Sequence, residues 1–246
     1  MKPEEFIAHR YLKSISLGDV VFEPYRNSPP DFAIAEQIGV EVRRLNQHYF
    51  GKSKPEGLES LEHAINRAFV DVLRSFDKNY QGESYFVKIE FQRPLASTIS
   101  TIKKQMREAL SYFLTEKHAV PCNLQVNDFV SFYIFRSEPE ISRVFQPAGQ
   151  FDADGGGSVF HMYFDNISYC IKEKNSKTNR FLSRYDVWWL LLVDTMLWVF
   201  SEEQILELKN QLPSLGNFQK LIIIDRGGQL LFEFTPPHSH YPQSPR

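Results

Sequence analysis

The chain is poor in cysteine: Cys122 and Cys170 are the only two in 246 residues. Their spacing fits neither a metal motif nor a disulfide framework, which excludes a disulfide-stapled or zinc-finger domain and suits a reducing cytosol. Each thiol reads as a small buried apolar group. There is no excess of positive charge either. Lys and Arg number 28 against 30 Asp and Glu, a formal net charge of -2. A globally basic nucleic-acid coat is thereby excluded, and any surface that attracts phosphate has to be local. Long apolar runs are missing as well. The most apolar stretch, VWWLLLVDTMLWVF from Val187 to Phe200, is interrupted by Asp194 and falls short of the roughly 17–25 residues of a membrane helix. It reads as a buried strand. The opening MKPEEFIAHRYL is charged throughout and has no apolar segment of a signal peptide. A cytoplasmic protein with no membrane partner is expected. No internal repeat, long linker, helix-turn-helix or zinc finger is visible.

What is present is a globular composition, 42% hydrophobic with 21 Phe and 11 Tyr, and an α/β rhythm. PEEFIAHRYLKSI reads as a short amphipathic helix with Pro3 in its first turn. DVVFEPY reads as a strand ending at Pro24. Ser60–Phe76 keeps apolar residues at i, i+3 and i+4 and predicts a helix; SYFVKIEFQ alternates like a strand. A second long helix spans TISTIKKQMREALSYFLTEK, and DFVSFYIFR is a further strand. PAGQFDADGGGS breaks the pattern and reads as a loop. Its Asp152 and Asp154 start like a calcium loop, but the later ligand positions are missing. DNISYCIKEKNSK is helical, VWWLLLVD a buried strand, SEEQILELKNQL a helix capped by Ser201, and QKLIIID a second buried strand. Unbroken apolar strands alternating with helices argue for parallel neighbours covered on both faces. QLLFEF returns as a hairpin, and a Pro-rich flexible tail, 236–246, carries His238 and His240.

The segment Ser28–Leu45, SPPDFAIAEQIGVEVRRL, says most about function. With Ala35-Glu36-Gln37 as a three-residue loop, Ile34 faces Ile38, Phe32 faces Val40 and Asp31 faces Glu41. One face is then Phe32, Ile34, Ile38, Val40 and Val42, all apolar; the other is Asp31, Ala33, Gly39, Glu41 and Arg43. A shift by one residue mixes the sets, so the hydrophobic pattern selects the register that sets two carboxylates side by side. Opposed carboxylates repel. Two partners offer compensation: Arg43 on the same face, as an ordinary salt-bridge cluster, or a divalent cation. Mg²⁺ favours carboxylate and carbonyl oxygens, and the strand supplies a carbonyl between Glu41 and Arg43.

Pro30-Asp31, ten residues ahead of Glu41-Val42-Arg43, resembles the PD-(D/E)xK signature of restriction-endonuclease-like nucleases. The context is similar too: that superfamily runs helix, three strands, helix, strand, with the Asp on the second strand and the (D/E)xK triplet on the third. The resemblance implies a restriction-endonuclease-like α/β core, a mixed central sheet flanked by helices. It implies Asp31 and Glu41 as ligands of Mg²⁺ or Mn²⁺, Arg43 in the place of the lysine, and a first-helix carboxylate, Glu5 before Glu4, in the catalytic set. Ile167–Asp194, a Lys-bearing helix followed by WLLLVD, resembles the helix and fourth strand of such cores. Either 60–91 or 167–194 could complete the core. The expected organisation is one domain over 1–235, with inserted helices and strands around 53–161.

Three functions follow. The first is a Mg²⁺-dependent endonuclease or phosphodiesterase on DNA or RNA, with Arg44, Lys172, Lys174 and Lys177 on the nucleic-acid backbone. Cutting both strands would call for a homodimer. Arg43 would stabilise charge there, since a guanidinium cannot serve as base. The second is a catalytically inactive nucleic-acid-binding module of the same fold, and the third a protein-interaction domain with a plain salt-bridge cluster. For the lysines, the alternative is a solvated helix face.

Overall fold

The structure is a computed structural model that describes residues 1–51, 55–77, 82–116, 118–138, 143–155, 157–196 and 200–236. The chain runs α1 (Pro3–Ser14), β1 (Val20–Phe22), β2 (Phe32–Ile34), β3 (Ile38–Leu45), β4 (His48–Tyr49), β5 (Glu56–Gly57), α2 (Leu58–Arg74), β6 (Tyr85–Phe91), α3 (Ile99–Glu116), β7 (Cys122–Asn127), β8 (Val130–Arg136), β9 (Phe145–Asp152), α4 (Val159–Thr178), β10 (Val187–Asp194), α5 (Glu202–Gln211), β11 (Lys220–Ile224) and β12 (Leu230–Phe234). It divides into two compact units, Met1–Gln47 with Ser158–Arg246, and His48–Gly157. The tail residues 237–246, with His238 and His240, lie outside the described residues. Among the described residues no helix is long and apolar enough to cross a membrane.

The first unit is built on a six-stranded mixed sheet in the order β1-β2-β3-β10-β11-β12. β10 is parallel to both β3 and β11, and the outer pairings are antiparallel. Every residue of β10 is buried, as an unbroken apolar run demands of a central strand with helices on both faces. On one face Ala8 and Leu12 of α1 pack against Phe32, Ile34, Val40, Val42 and Leu191. On the other, Tyr163, Ile167 and Ile171 of α4 and Leu208 of α5 pack against Trp188, Leu190, Leu192 and Leu221. Fully burying side chains of this size stabilises by about 1.5–3 kcal/mol each, which makes these two layers the main support of the unit. At α5, Ser201 caps as expected, its Oγ accepting from the Gln204 N–H at 3.2 Å. The helix expected over 165–177 is longer, starting at Val159.

The strand that joins β3 is β10, so the unit 167–194, and not 60–91, completes this sheet. The β2–β3 hairpin has the register expected from its pattern: Phe32 opposite Val40, Ala33 opposite Gly39 and Ile34 opposite Ile38. Asp31 immediately precedes β2.

The second unit is a four-stranded sheet, β7-β8-β6-β9. One face, with Val87, Ile89, Phe132 and Ile134, is covered by Phe69 and Val72 of α2 and Met106 and Leu110 of α3. Two of its strands depart from the sequence expectation. β7 has no counterpart there, and the stretch read as a loop, from Pro147, contains most of β9. β9 is an edge strand parallel to β6, with a register shift at Val87/Lys88, and an edge tolerates Pro147 and Gly149 where a central strand would not. Asp152 and Asp154 do not form a calcium loop. Arg93 lies between them, its Nη1 2.6 Å from Asp152 Oδ1 and 3.3 Å from Asp154 Oδ2, while Nη2 donates to the Leu58 carbonyl at 3.1 Å.

Candidate active site

Asp31 and Glu41 come to the same face through two different devices. Glu41 sits in the middle of β3 on the side turned toward α4, opposite to Val40 and Val42, which face α1. Asp31 lies just beyond the end of β2, where a strand backbone would otherwise continue the ladder. Its Oδ2 takes over that place and accepts the Val42 N–H at 2.7 Å. A strand residue sends its N–H and C=O to the same edge, so the Val42 carbonyl leaves β3 beside Asp31.

The positive charge between the carboxylates comes from Lys174 of α4. Its Nζ is 2.6 Å from Glu41 Oε2 and 3.0 Å from Asp31 Oδ2. Arg43, expected in that role, reaches the neighbouring turn of the helix: Nη1 lies 2.5 Å from Glu173 Oε2, Nε donates to Cys170 Sγ at 3.1 Å, and the guanidinium stands 5.1 Å from the centre of the Tyr169 ring. The reason is a matching of steps. Two residues along a strand advance about 6.6 Å and one helical turn about 5.4 Å. With α4 antiparallel to β3, as a crossover helix must be, Glu41 meets Lys174 and Arg43 meets residues one turn earlier.

Burial opposes the charge of Lys174, but the Glu41 and Asp31 carboxylates and their hydrogen bonds outweigh it and hold its pKa above the ordinary lysine value. Glu41, 2% exposed, is pushed the other way. Burial raises its pKa above the ordinary carboxylate value, Asp31 adds to the rise, and Lys174 opposes it. The cluster thus carries two carboxylates against one ammonium. One acceptor is left over: Glu41 Oε1 is buried and has no hydrogen-bond partner among the described residues. A buried carboxylate oxygen without a donor costs free energy, and a hard cation is a ligand that would remove that cost. The donors at hand, Glu41 Oε1, Asp31 and the Val42 carbonyl, are all oxygens, the set Mg²⁺ or Mn²⁺ takes.

Other expected site residues are placed differently. Glu5 is buried, and both its oxygens serve Lys2, Oε2 accepting from the backbone N–H at 2.6 Å and Oε1 from Nζ at 3.0 Å; it caps α1. Lys2 in turn feels the charge of Asp31. Glu4 is half-buried one residue earlier. Among the described residues no three His, Cys, Asp or Glu side chains group as metal ligands, so neither α1 carboxylate joins Asp31 and Glu41. Arg44 alternates to the opposite face of β3 and is exposed. Lys172 is exposed beside a shallow depression between α4 and Pro213-Ser214. Lys177 is exposed, pairs with Glu173 at 2.7 Å and contributes to the field at Glu41. Of the three lysines, only Lys174 joins the carboxylates. The sequence did carry a signal for it: Ile167, Cys170, Ile171, Lys174 and Thr178 form the buried stripe of α4, and a lysine in such a stripe needs a partner.

Burial pushes the Cys170 thiol up to about 11, which disfavours the thiolate needed for attack. Arg43 pairs with Glu173 and packs on the Tyr169 ring. Arg43→Ala is expected to lower stability by about 1.5–3 kcal/mol, the value of hydrogen bonds to a charged group, and to leave any cleavage rate at saturating Mg²⁺ unchanged. Urea unfolding and steady-state cleavage measured on the same preparation check this; a rate loss of about 10² or more would return Arg43 to the chemistry.

Comparison with protein-family models, with curated proteins and with solved structures finds no match.

Proposed function

We propose that the Asp31–Glu41–Lys174 cluster is the centre of a Mg²⁺- or Mn²⁺-dependent phosphodiesterase acting on DNA or RNA. The observation that carries this reading is Glu41 Oε1, a buried carboxylate oxygen with no donor among the described residues, in a cluster of two carboxyl groups and one ammonium. The order of elements around it supports a restriction-endonuclease-like core: α1, then β1, β2 and β3, then α4 and β10 beside β3. Two departures from the signature matter. The Asp stands one residue ahead of its strand, and the lysine comes from the helix, with Arg43 left in the usual position.

In this reading Asp31 and Glu41 hold the cation. When bound, it supplies an activated water and charge stabilisation at the scissile phosphate. Val42 N–H fixes the direction of Asp31, leaving its other oxygen for the ion. Lys174 stays protonated, because its pKa lies above the ordinary lysine value, so it is no general base. It provides a compact positive charge for a phosphoryl oxygen as negative charge develops there. Lys177 and Lys172, exposed on the same helix, add attraction for the phosphate backbone. Hydrolysis of both strands of a duplex would bring two copies together. The free thiols Cys122 and Cys170 suit a reducing compartment such as the cytoplasm.

A second reading rests on Lys174 itself, which already bonds both carboxylates: a catalytically inactive nucleic-acid-binding or protein-interaction module with a salt-bridge cluster. Incubation with single- and double-stranded DNA and RNA in Mg²⁺, Mn²⁺ or EDTA separates the two. Cleavage that EDTA stops is the expected result. Retention of nucleic acid without cleavage leaves the inactive binding module, and neither leaves the interaction domain.

A further inference from the structure

The segment that delivers Asp31 has two local hydrogen bonds of its own, Arg26 N–H to the Glu23 carbonyl at 2.9 Å and Ser28 Oγ to the Tyr25 carbonyl at 3.1 Å, neither of which involves Pro29, Pro30 or Asp31. Pro29 and Pro30 have no N–H to donate. Glu23 and Arg26 on its approach stand at φ 44° and 57°, a left-handed conformation that side chains adopt at a cost. Asp31 anchors one end, its carbonyl accepting the Glu23 N–H at 2.8 Å. The other end is gripped by a side chain more than 150 residues away in sequence. Arg184 closes the short 3₁₀ turn Leu182–Arg184 that leads toward β10, and its Nη1 donates to the Pro29 carbonyl at 2.5 Å and to Ser28 Oγ at 2.9 Å.

The guanidinium is itself fixed. It lies between two rings, 4.1 Å from the centre of Tyr25 and 4.3 Å from that of Phe181. Tyr25 is held edge-on to Tyr185, 6.3 Å between centres. The turn is tied down in turn by Trp188, whose Nε1 donates to the Leu182 carbonyl at 3.3 Å. Trp188 lies in the central strand β10. A planar, stacked cation thus connects the rigid middle of the sheet to the carbonyl two residues ahead of Asp31, a task that depends on a flat fork of donors.

We infer that Arg184 is a positioning residue of the Asp31–Glu41 site: by holding Ser28 and Pro29 it sets the place of the Asp31 carboxylate, and through it the affinity for a divalent cation. The inference rests on the cation site proposed above. Its test is Mn²⁺ binding, followed by the electron paramagnetic resonance of free Mn²⁺, on the unaltered chain of 246 residues and on Arg184→Ala and Arg184→Lys, with circular dichroism to establish folding. Arg184→Ala is expected to weaken Mn²⁺ binding about 10–100-fold, the usual effect of removing a group that orients a ligand. Arg184→Lys is expected to recover little of it, since an ammonium cannot bridge and stack together. A folded Arg184→Ala that binds Mn²⁺ as tightly as the unaltered chain overturns the inference and leaves the cation site standing. If Arg184→Ala does not fold, the same comparison on Arg184→Lys decides: weakened binding supports the role, and equal binding overturns it. An unaltered chain that binds no Mn²⁺ overturns both the site and the inference, before any variant is compared.

Discussion

Lys174→Met should be strongly destabilising to the first unit. It removes the ammonium that bonds Asp31 and Glu41 and leaves a buried carboxylate facing a second one. Breaking a buried pair by deleting one partner costs about 3–5 kcal/mol. The lower end applies here, because the Asp31 side chain is 26% exposed and water can take over part of its charge. For a unit of this size about 3 kcal/mol is a fall in Tm of roughly 6–12 °C. The pH dependence has a definite sign. A lysine whose folded pKa is raised contributes stability that is fully present below its ordinary value of 10.5 and lost only as pH rises through the folded pKa, so the loss in Lys174→Met is felt at neutral pH. With the ammonium gone, burial and Asp31 raise the Glu41 pKa against only the weaker opposing charge of Lys177. Protonation of Glu41 relieves the repulsion, so the deficit should shrink as pH falls toward the ordinary carboxylate range. Mg²⁺ should stabilise the variant more than it stabilises the unaltered chain. If the site is catalytic, the rate should also fall by about 10²–10³, the effect of one lost charge at a developing oxyanion. Thermal unfolding across pH, with and without Mg²⁺, and cleavage assays read these effects. A Tm unchanged at neutral pH would contradict the pairing.

Asp31→Asn and Glu41→Gln should each abolish cleavage and leave the fold intact. The amides keep the shape of the side chains and an oxygen that accepts from Lys174, so neither strands the ammonium, as alanine at Glu41 would by leaving it Asp31 alone. For Glu41→Gln stability should rise. Burial raises the Glu41 pKa above 4.5, so the folded state takes up a proton more readily than the unfolded one. Unaltered protein therefore loses stability as pH climbs from 4.5 through the folded pKa, and the advantage of the amide grows over that window. Denaturant unfolding at several pH values checks the sign. Undiminished cleavage by either variant would place the chemistry elsewhere.

The legible parts of this fold were those where one face is buried and the other is not. Phe32, Ile34, Ile38, Val40 and Val42 admit one hairpin register, because a slip of one residue turns all five toward the wrong layer. Val187–Asp194 and Lys220–Ile224 reveal themselves as central parallel strands by having no polar alternation. That same contrast held the answer to which helix–strand unit completes the sheet. Tyr85–Phe91 alternates in burial, as a strand covered on one side does, whereas β10 is buried throughout. β9 was hidden because an edge strand needs no apolar rhythm. The site divides similarly. The pairing of Asp31 with Glu41 is a local consequence of the hairpin. The partner of the pair is not local: it depends on which turn of α4 lies over which residue of β3, a long-range packing fact, and sequence proximity alone points to Arg43. Arg184 was beyond reach altogether, since a turn residue ahead of a strand shows no sign of the distant carbonyl it holds.

A crystal of the unaltered chain soaked in Mn²⁺, with anomalous scattering measured at the manganese edge, tests the cation site most directly. The expected result is a single strong peak coordinated by Asp31 and by Glu41 through Oε1, with Lys174 beside it. Full loading of the crystal with no peak there, and Lys174 still bonded to both carboxylates, would contradict it and reduce the cluster to a buried salt bridge.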